Sequence, residues 1–291
     1  MKINLTLILV LVPLITWGQK SKEFNLDEKF AINKTGTIHM DTDDAEVKIV
    51  GTSREDARVT IYRKIRYGGI RWGEESEINV DVTTRDGDLY ISDRDGNGVT
   101  WTIMGYSHEE YRINIEAPNG VSLDIRGDDD DYRIQAINGA IEMRVDDGDI
   151  ELMNCRGDAF EFRVDDGDVQ MDGGKGTLYA DLEDGDIEVI NASFREVTAK
   201  ADDGNINIET SLNTVGRYRL SSDDGSVELY ITKGGGEFDL RHDDSRVTAD
   251  PEFDLIDKSD DAASYKLPGG NAQITIRADD GNIRLRSRKA N

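Results

Sequence analysis

Aspartate dominates the side chains able to do chemistry here, and it recurs in one setting. Val145-Asp146-Asp147-Gly148-Asp149-Ile150 returns as Val164-Asp165-Asp166-Gly167-Asp168-Val169, Leu182-Glu183-Asp184-Gly185-Asp186-Ile187 and Ala201-Asp202-Asp203-Gly204-Asn205-Ile206. Weaker copies follow at Asp223-Asp224-Gly225, Asp243-Asp244-Ser245 and Asp279-Asp280-Gly281. Paired carboxylates are hard oxygen ligands, and calcium takes roughly 6–8 oxygens. Stacked repeats would bring Asp146 and Asp147 over Asp165 and Asp166, which makes these four the candidate calcium ligands. The competing reading is turn chemistry: Asp bonds its own downstream backbone, and Gly accepts positive φ without steric cost. Asn205, Ser226 and Arg246 replace the acid after the glycine, and the nonapeptide Gly-Gly-x-Gly-x-Asp pattern of calcium-binding β-helices is absent. Turn chemistry therefore leads, with calcium as the alternative and no other cofactor implied.

Other candidates are sparse. Trp72 and Trp101, with Tyr67 and Tyr106 nearby, offer a stacking platform for a sugar; packing against a solenoid end is the plainer use of such large side chains. His39, His108 and His242 have no ligand or triad spacing. Carboxylates are too numerous for any pair to single out a glycoside hydrolase. A polysaccharide lyase on a β-helix is the enzymatic alternative, by fold analogy alone. Cys155 is the single cysteine, so no intramolecular disulfide forms, and a packed inert thiol is expected.

The elements that position these residues follow from the spacing. Counted at the second acid, the motif recurs about every 20 residues, the mark of a solenoid in which each repeat is one coil. Apolar residues alternate on both sides of each corner: Ile141/Met143/Val145 before and Ile150/Leu152 after, Phe160/Phe162/Val164 before and Val169/Met171 after. Period 2 sends them all to one side of the backbone. Stacked at about 4.8 Å, nine or ten such coils make a rod of roughly 45 Å. The reading is an all-β, single-stranded parallel β-helix, right-handed, with coils of about 19 residues. Arg144, Arg163, Lys200, Arg241 and Arg277 stand two residues before the first acid, on its outward face, and relieve some of the repulsion.

Residues 24–116 are expected to form irregular coils with hairpin excursions near Tyr67–Glu77 and Asp93–Ser107. Residues 117–287 carry the regular repeats, interrupted by a projecting hairpin near 250–272. The basic run Arg284-Leu285-Arg286-Ser287-Arg288-Lys289 is expected to cap an exposed sheet edge.

Residues 1–18 read as a secretory signal peptide: Lys2, the apolar run Leu5 to Ile15, then Thr16-Trp17-Gly18 before Gln19. The run is short for a membrane span, and a single solenoid domain over 19–291 is expected in the periplasm or outside the cell. Net charge is −25 for the full chain. That argues against nucleic acid and anionic membranes as partners and points to an envelope protein or a glycan, with the chain itself expected to be a monomer.

The signal peptide, the start Gly36-Thr37-Ile38-His39-Met40-Asp41-Thr42-Asp43-Asp44, the segment Tyr111-Arg112-Ile113-Asn114-Ile115-Glu116-Ala117-Pro118 and the repeated Asp-Asp-Gly-Asp-Ile units together resemble the bacterial "putative adhesin" family of β-strand repeats. The ending Trp17-Gly18-Gln19 is similar to exported proteins of Bacteroidetes-type bacteria. The resemblance covers most of residues 24–287 and implies a single-stranded β-helix in an envelope or extracellular setting, with no catalytic residues. The expected function is a non-enzymatic, adhesin-like binding or scaffold module, against a carbohydrate-active enzyme or a calcium-stabilised structural or sensory domain.

Overall fold

The computed structural model describes residues 20–73, 78–93, 100–243 and 246–288; the expected signal peptide lies outside them. Among the described residues no helix is long and apolar enough to cross a membrane. The chain opens with β1 (Lys20–Phe30), then lays down β2 (Thr37–Thr42) and β3 (Glu46–Thr52). It continues through β4 (Ala57–Gly73), β5 (Val80–Arg85), β6 (Asp88–Asp93) and β7 (Thr100–Pro118). Regular coils follow: β8 (Ser122–Asp129) with β9 (Asp131–Gln135), β10 (Ile141–Asp147) with β11 (Ile150–Met153), and β12 (Ala159–Asp166) with β13 (Val169–Asp172). Next come β14 (Lys175–Asp184), β15 (Ile187–Asp203), β16 (Ile206–Ser211), β17 (Arg217–Ser222) and β18 (Val227–Lys233). The chain finishes with β19 (Gly236–His242), β20 (Val247–Ala249), β21 (Asp254–Lys258), β22 (Ala262–Leu267), β23 (Ala272–Ala278) and β24 (Ile283–Ser287).

The result is an all-β solenoid with two parallel sheets. One holds the strands before each Asp-Asp-Gly corner, such as β8, β10, β12 and β14, and the other those after it, such as β9, β11 and β13. The two halves of β15 serve the two sheets in turn. The period-2 residues become continuous inward columns. Ile141 lies opposite Leu123 on one side and Phe160 on the other, and Ile150 lies between Tyr132 and Val169. All six are at most 2% exposed, so each coil covers its neighbour's apolar face, which no coil buries alone.

The ends depart from chain order. β2 sits between β6 and β8, and β3 between β7 and β9, so the first coil of the chain is the second rung of the stack. The C-terminus repeats the device: β23 and β24 insert between β17/β18 and β19/β20. The 279–281 corner therefore stacks on the 223–225 corner, where Asp280 N–H donates to the Asp223 carbonyl at 2.9 Å.

Two expectations need correcting. The hairpin near 250–272 does not project: β22 pairs antiparallel along the outer edge of β19, and β21 pairs with β22. An exposed parallel edge is a template for association, and this hairpin covers it. The basic run does not cap an edge either. β24 is an interior rung, and Arg284 and Arg286 reach the carboxylate of Glu228 on β18, the neighbouring rung. At the opposite end, β4 pairs antiparallel with β7 and β1 with β4, while β5 closes β6.

Candidate functional site

At each regular corner the second acid stacks in register, so that Asp129, Asp147, Asp166, Asp184 and Asp203 form one column. The expected pairing of Asp147 with Asp166 is thus present, and Asp146 and Asp165 precede them on the outward face of β10 and β12. Partial desolvation, then hydrogen-bond and charge contact with the carboxylates on either side, raises the acids Asp147 and Asp184. Like charges this close favour sharing a proton.

The glycine column next to it explains the glycines. Gly148, Gly167 and Gly185 have φ of +134°, +143° and +140°. A Cβ on Gly167 would sit 2.2 Å from the Gly148 carbonyl oxygen, and one on Gly185 2.1 Å from that of Gly167. The backbone of one rung lies where a side chain of the next would go.

The residue after the glycine forms a third column, and its role is a coil-to-coil hydrogen bond. Asp149 N–H donates to Asp131 Oδ1 (3.2 Å), Asp168 N–H to Asp149 Oδ1 (3.0 Å) and Asp186 N–H to Asp168 Oδ1 (2.8 Å). Asn205 N–H then donates to Asp186 Oδ1 (2.7 Å), Ser226 N–H to Asn205 Oδ1 (3.1 Å) and Asn282 N–H to Ser226 Oγ (3.2 Å). Any side-chain oxygen can do this, which is why Asn and Ser replace Asp without breaking the column.

On the outward face before the corner the expected pairing with the acid two residues later holds for Lys200 and Arg277, which reach Asp202 and Asp279. Arg144 and Arg163 instead turn to the glutamate two residues earlier, Glu142 and Glu161.

The first corner of the regular series is built differently, and sequence reasoning missed it. Asp130 occupies the glycine column, directly before Gly148. It is fully buried and accepts from Ala45 N–H at 2.6 Å, Thr42 Oγ1 at 3.0 Å and Tyr132 Oη at 3.0 Å. Burial pushes its carboxyl up to about 6 despite those donors. A second buried cluster lies close by: Arg63 bonds Asp93 at 2.6 Å and also Glu109, with its guanidinium 4.5 Å from the Tyr111 ring centroid. Burial alone would lower the Arg63 guanidinium, but the hydrogen bond to Glu109 and the charge of Asp93 more than offset it. The legible signal was the run Asp128–Asp131, in which an acid falls where later repeats hold glycine.

The remaining candidates are scattered. Trp72 and Trp101 face each other across the β4–β7 pair; their side chains lie outside the described ones. His39 and His242 lie at opposite ends of the stack, on β2 and β19, and His108 is on β7. Cys155 is buried, and burial pushes its thiol up. Among the described residues, one carboxylate group outside the expected four converges, Asp43, Asp44 and Asp129, with oxygens within 4.8 Å of one another.

The sequence matches the Toastrack DUF4097 family over residues 35–286. The chain belongs to the Toastrack family. This Toastrack chain is similar in structure to a "putative adhesin" from Bacteroides fragilis, at 13% identity over 90% of this chain and 97% of that one, with a TM-score of 0.41. It is also similar to a "putative cell adhesion protein" from Clostridium sporogenes (14% identity, 92% and 100% covered, TM-score 0.24). A third likeness is to a "putative lipid binding protein" from Parabacteroides distasonis (10% identity, 92% and 96% covered, TM-score 0.33). No curated protein matches the sequence.

Proposed function

We propose that this Toastrack chain is an exported, non-enzymatic solenoid that acts as a binding or scaffold module of the cell envelope or extracellular space. The observation that supports this reading is the hydrogen-bonded column from Asp131 through Asp149, Asp168, Asp186, Asn205 and Ser226 to Asn282. Its most conspicuous acids join rung to rung, and repetition of one local arrangement builds a rigid surface rather than one convergent reactive constellation. The three histidines, on separate strands, add no such constellation.

The test pairs capture with turnover. Immobilised mature protein, with and without calcium, is exposed to native envelope extract, and the same preparation is incubated with uronate polymers. Retention of a specific protein or glycan with no rise in unsaturated product is expected. Depolymerisation would overturn the reading in favour of a carbohydrate-active enzyme.

A calcium-stabilised domain is the second reading. Its support is the partial desolvation and, after it, the neighbouring carboxylates that raise Asp147 and Asp184, a repulsion that a divalent cation would relieve. In that case Asp146, Asp147, Asp165 and Asp166 would supply oxygens, and thermal midpoints in chelator and in millimolar calcium would differ.

A further inference from the structure

The outward face of the β6–β2–β8 rungs carries a half-open cleft of about 490 Å³, lined among others by His39, Asp41, Asp81, Arg85, Tyr90 and Arg126. That volume lies within the usual range of small-molecule sites. Its charges are arranged unlike those of the rungs that follow. On β10 and β12 the outward arginines, Arg144 and Arg163, are each neutralised by a glutamate two residues earlier. Arg126 is in register with Arg144, and its equivalent acid is Asp124. But Asp124 is shorter than glutamate and is already engaged: His39 Nδ1 lies 2.9 Å from its Oδ2. A carboxylate only accepts, so the imidazole donates from Nδ1 and, when neutral, offers Nε2 as an acceptor. The His39 ring is in turn stacked on Tyr90 at 4.6 Å, and Arg85 lies 5.5 Å from the centroid of the same tyrosine.

The consequence is that the cleft holds charges that do not neutralise one another. Among the described residues, the guanidinium groups of Arg85 and Arg126 have no carboxylate within ion-pair distance, and the side-chain carboxylates of Asp41 and Asp81 make no hydrogen bond or ion pair. Two donors and two acceptors thus surround one hollow, held apart by a stacked His39–Tyr90 pair on a rigid sheet.

We propose that this cleft is a saccharide-binding site. Sugar hydroxyls donate and accept at once, so neighbouring hydroxyls satisfy Asp41 and Asp81 as donors while accepting from Arg85 and Arg126. A purely anionic ligand would meet the two aspartates, and a purely cationic one the two arginines. The proposal rests on the binding-module reading and supplies its ligand class and location, away from the Trp72/Trp101 pair.

The test is calorimetric titration of the full mature chain with methyl glucoside, methyl mannoside, N-acetylglucosamine and galacturonate, with glycine as a zwitterionic control. At least one saccharide is expected to bind, with affinity falling tenfold or more in Arg126→Ala and in Asp81→Asn. Arg163→Ala, which removes a paired arginine two rungs away, and the Trp72→Ala/Trp101→Ala double variant are expected to bind as the parent does. Melting midpoints of every variant establish that it is folded. Absence of saccharide binding, binding indifferent to the cleft variants, or binding of glycine alone would overturn the site. Envelope capture run alongside separates the two claims: capture that persists without saccharide binding sinks this cleft and spares the module reading. Turnover of a bound saccharide sinks the non-enzymatic reading and spares the cleft.

Discussion

The corner joining β12 to β13 and the corner joining β8 to β9 occupy equivalent rungs but use opposite materials. At the first, Gly167 lets the backbone pass 2.2 Å from where its own Cβ would lie. At the second, Asp130 fills the same column with a buried carboxylate that ties three donors together. The regular corner has a glycine corner of the same build on either side. The other abuts the out-of-order first coil, whose Ala45 takes the equivalent place and whose Thr42 and Ala45 are two of those donors. Repetition favours glycine; a join between unlike rungs favours a side chain that can bond. The same contrast separates the body of the stack, held by like neighbours, from its ends, where a terminal coil is clasped between two others.

The contrast is sharpest in a truncation. Removing residues 271–291 deletes β23 and β24 and leaves the apolar faces of β17/β18 and β19/β20 without their shared neighbour. Loss of cooperative folding is expected by circular dichroism and urea titration; a folded product would mean the clasp is dispensable.

Gly167→Val comes next in size. It places a branched side chain against the Gly148 backbone at φ +143° and is expected to cost about 3 kcal/mol or more in urea unfolding. A cost below about 1 kcal/mol would contradict the close-stacking argument.

Asp130 then separates the two corner types by pH. Burial raises its carboxyl to about 6 from an ordinary 3.8. An acid raised on folding adds stability that is complete below its unfolded value and lost as pH climbs through the folded one. Asp130→Asn is therefore expected to remove a decline in stability of about 3 kcal/mol between the two values. Urea midpoints at pH 4 and 7 read it directly, and an unchanged slope would place the titration elsewhere.

Asp186→Ala has a smaller effect. It removes the acceptor for Asn205 N–H and Nδ2, at 2.7 and 3.0 Å, and is expected to cost about 1 kcal/mol.

Much of this architecture was legible in the sequence because it rests on local rules. Alternation at Ile141/Met143/Val145 is enough to define an inward face, and the spacing of Asp147 and Asp166 is enough to define their register. The clasped ends were not legible for the same reason: the apolar pattern of β23 and β24 fits against any rung, and nothing local says which. The basic run was misjudged because its position depends on that insertion. Asp130 looked like one more acid in Asp128–Asp131; only superposition on Gly148 distinguishes it. The cleft depends on β6 lying beside β2, a pairing across 51 residues that links Ile38 to Leu89 and that no periodicity encodes.

The central claim is that the Asp-Asp-Gly corners are a folding device whose post-glycine oxygen bonds the next rung. It is tested most directly by the double variant Asp168→Asn/Asp186→Asn, unfolded in urea with chelator and with millimolar calcium. An asparagine Oδ1 accepts the same amide, as Asn205 already does for Ser226. The account predicts stability within about 0.5 kcal/mol of the parent in both conditions, since the same hydrogen bonds are kept. A parent strongly stabilised by calcium, or a double variant that loses more than about 1 kcal/mol in chelator, would contradict it.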